Sequence, residues 1–197
     1  MSNVRRHYMP ITKELRVQIR ARREPFIWMD GKLVPGSIPF LRELATLATS
    51  DLERDELLGE LAGEYLRADL DDEHLLVQRE RVKNHPAAAV KLLGLAHSLS
   101  MRKDGAEEAK LLAAQAVRVC RSEGTLIRYA LVSQAEVARS TNDPALFEHA
   151  LAELIADAPN SREEDRGLSK ALVSDLPAGF CSSELEKQYR GVLSSDA

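Results

Sequence analysis

Residues 93–120 read LGLAHSLSMRKDGAEEAKLLAAQAVRVC, and the fold class turns on where this stretch breaks. The residues up to Met101 suit one helix, Asp104-Gly105 supplies a turn, and Glu107-Glu108 opens a second helical run. Ala109 and Ala116 stand seven residues apart in that run. Small side chains at such a spacing let the second helix lie close against the first and against a following unit. The stretch predicts two helices folded back on each other.

The same length recurs along the chain. Leu57-Leu58-Gly59 and Leu92-Leu93-Gly94 are separated by 35 positions, and each is followed by Leu-Ala, at 61–62 and 95–96. A further step of about 34 residues reaches Ile127-Arg128-Tyr129-Ala130-Leu131. Start signals punctuate the rest. Ser50-Asp51-Leu52-Glu53, Ser161-Arg162-Glu163-Glu164 and Ser183-Glu184-Leu185-Glu186 fit S-x-x-E, in which hydroxyl and carboxylate satisfy orphan amides at a helix start. Asp143-Pro144 places an N-cap before a proline at the first helical position. Helices are predicted at 38–48, 51–68, 71–83, 86–101, 105–121, 124–140, 144–157, 162–174 and 183–193. Connections this short favour antiparallel neighbours.

The 90–123 unit resembles a tetratricopeptide repeat. Asp104-Gly105-Ala106-Glu107-Glu108-Ala109 matches that family's turn, and Ala109 and Ala116 fall at its small-residue positions. Residues 124–157 keep the helix pair and Ala145, but STNDPALFEHAL departs from the turn pattern. Leu93, His97 and Ser100 stand where the family usually has Trp, Gly and Tyr. The resemblance implies an all-α, antiparallel helix-hairpin solenoid whose concave side presents Lys91, Ser98, Arg102, Arg128 and Glu136. The basic residues among them suit an acidic or carboxylate-ended peptide.

A different chemistry precedes this body. REPFIWMDGKLVPG, residues 23–36, holds the single tryptophan, Trp28. Asp30-Gly31 favours positive φ at both central turn positions, so a short β-hairpin over 26–34 is expected. Such a hairpin is marginal alone and needs a surface to pack on. Before it, Ile11, Leu15 and Ile19 fall four apart and predict a short helix over 12–22 with a narrow apolar stripe. Residues 1–23 carry seven Lys or Arg against Glu14 alone, a net charge of +6. Residues 51–81 carry eleven Asp or Glu against four Arg, a net charge of −7. These segments are complementary, to each other or between copies.

The chain has 197 residues, 44% of them hydrophobic and 29% charged, enough to bury a core. Its domain organisation is read as a basic helix-and-hairpin arm, 1–36, and a helical-repeat domain, 37–197. No apolar run is long enough to span a bilayer, and MSNVRRHYMP lacks the apolar stretch of a signal peptide, so a cytoplasmic protein is expected. Neither GxGxxG nor GxxxxGK(S/T) occurs, and no Glu-x-x-His pair is present. Asp71-Asp72-Glu73-His74 reads first as an acidic opening turn and second as a metal cluster. Cys181, near a helix start, reads first as a structural thiol and second as a reactive one.

No cofactor, metal or catalytic residue is therefore assigned. The expected function is a non-enzymatic adaptor that holds a protein or peptide in the repeat groove or on the arm, with Arg16, Arg20, Arg23 and Trp28 as the arm's contact residues. Homo-oligomerisation through residues 1–36 is the alternative. Nucleic-acid binding by the arginines is a weaker one, because the whole chain is acidic at −4 and shows no recognition motif.

Overall fold

The computed structural model describes residues 37–157, 172–173 and 176–194. Among them are eight α-helices and no strand: α1 (Ser37–Leu47), α2 (Asp51–Arg67), α3 (Asp71–Asn84), α4 (Ala89–Ser100), α5 (Ala106–Glu123), α6 (Ile127–Ser140), α7 (Pro144–Asp157) and α8 (Ser183–Ser194). The predicted 12–22 helix and 26–34 hairpin lie outside the described residues, as does most of the predicted 162–174 helix, of which Leu172–Val173 form a 3₁₀ turn. The chain divides into two compact units at Asn84.

In the first unit, α1 and α3 both pack on α2. The reason lies in the spacing of α2's apolar residues. Leu57, Leu58, Leu61, Ala62 and Tyr65 make one broad stripe, which meets Leu41, Leu44 and Ala45 of α1 and Val77 of α3 in a single buried cluster. The capping signal at Ser50 is realised. Ser50 Oγ accepts from Glu53 N at 3.1 Å, and Glu53 Oε2 accepts from Thr49 N and Oγ1 at 2.6 and 2.8 Å, one residue earlier than in the usual reciprocal box. At the other end, Asp69 takes φ 55° and lets Leu70 N donate back to Tyr65 O at 2.9 Å. His74 is buried, and its Nδ1 donates to Ala62 O at 2.8 Å, which ties α3 to α2.

In the second unit α4 packs on α5, α5 on α6 and α6 on α7, and α4 also touches α6. Ala109, Ala113 and Ala116 are wholly buried, which brings the α5 backbone close to its neighbours. Gly105 makes the α4–α5 turn possible by its lack of a side chain, since a Cβ there would sit 2.3 Å from Leu99 O. Gly124 caps α5 at φ 67°, with its N donating to Arg121 O and Thr125 N donating to Cys120 O. This cap moves the start of α6 from the expected 124 to Ile127. Similarly, α4 begins at Ala89 rather than 86, because residues 86–87 form a turn in which Ala88 N donates to His85 O.

The atypical STNDP turn has its own chemistry. Asn142 takes φ 53°, a conformation its short amide tolerates, and Asp143 Oδ1 accepts from Leu146 N at 3.0 Å as the cap of α7. Lys110 Nζ of α5 donates to Asp143 Oδ2 at 3.1 Å, joining the two hairpins. At the far end, Ser182 N donates to Glu148 Oε1 at 2.6 Å and Phe180 meets Phe147 edge-on at 5.3 Å, so the start of α8 is held against α7. Ser183 begins α8 but forms no capping box, since the Glu186 carboxylate accepts from Arg190 instead. Ser161 lies outside the described residues.

Two expected outcomes follow from these turns. Gly105→Ala forces a clash with backbone rather than with a flexible side chain, and should lower stability by about 1–3 kcal/mol in urea unfolding; an unchanged midpoint would show that the turn relaxes freely. For Asp143, the Leu146 amide and then Lys110 hold the carboxyl below its ordinary pKa, against an opposing effect of burial. A depressed folded pKa gives stability that is full above the unfolded value of about 4 and is lost as pH falls through the lower folded value. Asp143→Ala should therefore cost about 1 kcal/mol at neutral pH, with the gap to wild type narrowing below about pH 4. A gap independent of pH would contradict the assignment of the charge.

Candidate functional site, an open groove on the first unit

α1 and α3 flank α2 without packing on each other extensively, and a depression remains between them although the apolar stripe of α2 itself is buried. The result is an open groove of about 330 Å³ with Leu58, Leu61 and Tyr65 of α2 as its floor, Ala45 and Thr46 of α1 on one wall, and Leu76 and Val77 of α3 on the other. Leu76 is 67% exposed at this rim.

Charged groups frame the opening. Arg54 Nη2 donates to Glu80 Oε1 at 2.6 Å across α2 and α3. Arg42 of α1 donates through Nε to Tyr65 Oη, and its guanidinium carbon lies 5.3 Å from the centre of the Tyr65 ring. The groove's floor is thereby fixed from above, since Tyr65 is almost wholly buried and its hydroxyl is held by the arginine. Glu73 and Glu80 line the α3 side, with Glu80 already paired to Arg54. Below them Arg81 pairs with Asp55 at 3.2 Å and covers Gly59, setting the distance between α2 and α3. Chemically the arrangement can hold two or three aliphatic side chains of a helix, with acceptors along one side for its basic residues.

The chemistry considered along the rest of the chain is placed as follows. His74 turns its Nδ1 into the Ala62 carbonyl of α2. Among the described residues no three His, Cys, Asp or Glu side chains gather as a metal site would require. Burial pushes the Cys120 thiol up, with Glu123 adding to it. Burial, then Glu148 and Glu186, pushes the Cys181 thiol up as well, the opposite of the lowering that a reactive thiol at a helix start needs. No helix among the described residues is long and apolar enough to cross a membrane.

Of the residues read from the repeat, Lys91 and Ser98 are half-buried along one side of α4, and Ser98 Oγ donates to Gly94 O at 2.9 Å. Arg102, just beyond α4, lies 3.8 Å from Asp104. Arg128 is only 5% exposed, while Glu136 is half-buried elsewhere on α6. Arg16, Arg20, Arg23 and Trp28 lie outside the described residues. The groove residues themselves were not singled out by sequence. Leu76 was the available signal, because it stands off the face that carries the buried His74 and Val77.

Comparison of the chain with protein-family models, with curated protein sequences and with solved structures finds no match.

The floor of the groove gives a direct test of its construction. Tyr65→Phe removes the acceptor of Arg42 while keeping the ring, and should cost about 1 kcal/mol of stability. Tyr65→Ala should cost about 3–5 kcal/mol. Equal losses for the two variants, measured by chemical denaturation, would mean that the hydroxyl rather than the ring supports the floor.

Proposed function

We propose that the chain is a non-enzymatic protein-interaction module that receives an amphipathic α-helical peptide in the groove between α1 and α3. The observation that carries this reading is the exposed Leu76 beside an apolar floor of Leu58, Leu61 and Tyr65, framed by the Arg54–Glu80 pair. An apolar floor with a charged rim is the arrangement by which a helix presenting residues at i, i+4 and i+7 is bound and oriented. Glu73 on the α3 wall can accept from one basic residue beside the ligand's apolar stripe.

The second unit fits the same class as a tetratricopeptide-like helix-hairpin array. Supporting this are the Gly105 turn, the buried alanines of α5 and the contact of α4 with α6, since first helices of successive units touch in such arrays. In this reading residues 85–157 are scaffold and a further protein-binding surface, with Lys91, Ser98 and Glu136 as its half-buried polar groups.

The test is a displayed library of amphipathic helical peptides selected against the full-length chain. Enriched peptides should carry aliphatic residues four apart with adjoining Lys or Arg, and should lose about tenfold or more in affinity on Leu76→Glu. Failure of any such peptide to enrich, or binding indifferent to Leu76→Glu, would refute the groove as the binding surface.

A further inference from the structure

We infer that α8 is a releasable cap on the second unit, independent of the groove between α1 and α3: it leaves while α4 to α7 stay folded, and the seat it vacates on α7 receives the same segment, residues 176–194, of a second copy of the chain. Burial, seating and connection each lead there.

Burial is unequal across the unit. Of residues 183–192 in α8 only Tyr189 is buried, with Leu185 and Val192 half-buried. By contrast α5 buries five residues and α6 buries eight. The free energy of opening an element follows the apolar contact that holds it, so α8 opens before the helices beneath it do.

The seat reads one particular sequence. Leu185, Tyr189 and Val192 fall at i, i+4 and i+7 and form a narrow stripe, while Glu184, Lys187, Gln188 and Arg190 are exposed. Ahead of the helix, Phe180 lies edge-on to Phe147 of α7, and Ser182 N donates to Glu148 Oε1. Further along, Arg190 Nη2 donates to Val173 O at 2.9 Å. Two aromatic rings nine residues apart, with an amide between them set to meet Glu148, fix the register. The same segment of another copy carries every one of these groups, so exchange between copies needs no new contact.

The connection allows it. Pro177, Ala178 and Gly179 are exposed and form a turn in which Phe180 N donates to Pro177 O at 3.0 Å, with Gly179 at φ 77°. This turn can straighten without exposing the core. Release uncovers Phe147, which is wholly buried while α8 is seated. The segment of the same chain has the advantage of its tether, so the copies exchange segments at high protein concentration or when Phe180 or Tyr189 is weakened.

Two measurements on the full-length protein test this. In hydrogen exchange read by mass spectrometry, α8 amides of the wild type should exchange at least tenfold faster than those of α5 and α6. A labelled peptide of residues 176–194 should bind full-length Phe180→Ala/Tyr189→Ala at least tenfold more tightly than wild type, whose seat is filled. The variant's α5 and α6 should keep their wild-type exchange, and the peptide made with Tyr189→Ala should bind neither protein. Exchange of wild-type α8 at the rate of α5 and α6 would overturn the inference by making α8 part of one cooperative core, and loss of α5 and α6 protection in the variant would do the same. Peptide binding to neither protein, to both equally, or regardless of Tyr189 would also overturn it, since no seat specific to this segment would then exist.

Discussion

The first unit depends on one helix being shared by two neighbours. The apolar stripe of α2 is wide, running through Leu57, Leu58, Leu61, Ala62 and Tyr65, and α1 and α3 each cover only part of it. Burying the stripe is what holds the three helices together, at about 25 cal/mol per Å² of apolar surface removed from water. Between the two flanking helices an open groove remains, lined by Leu58, Leu61 and Tyr65. Its existence is therefore a by-product of the same burial that stabilises the unit, and its floor cannot be changed without weakening the fold. Leu76 escapes that constraint because it sits on the rim, and the rim is where specificity is set.

Electrostatics supports this arrangement rather than driving it. Arg54–Glu80 is exposed at both ends and contributes little to stability, but it closes one edge of the opening. Arg81–Asp55 is more sheltered and fixes the spacing of α2 and α3 by lying over Gly59. In the second unit, Lys110 links the start of α5 to the cap of α7 through Asp143. Each of these pairs fixes a position, while the energy comes from the apolar contacts beneath.

Much of the helical architecture was legible in the sequence, and the reasons are local. Ser50 with Glu53, Asp143 before Pro144, and Gly105 in its turn act through hydrogen bonds or sterics within a few residues, so their meaning survives without knowledge of the fold. Boundaries shifted where a local signal had two uses. Gly124 opened a helix on the sequence reading and closed one in the structure, because a left-handed glycine satisfies the carbonyls behind it. The groove was not legible, because it arises from the pairing of Leu76 with Leu58 and Leu61 across two helices. Arg128 shows the converse. A charged residue on a helix reads as solvated, yet the packing around α6 leaves it 5% exposed.

The measurement that bears most directly on the account is methyl-resolved NMR of the full-length chain with labelled Leu and Ile. The account predicts that a selected amphipathic helical peptide with aliphatic residues four apart gives cross-relaxation between its methyls and those of Leu76. Groove methyls that report only solvent or each other, with none of these contacts in a folded protein, would contradict it.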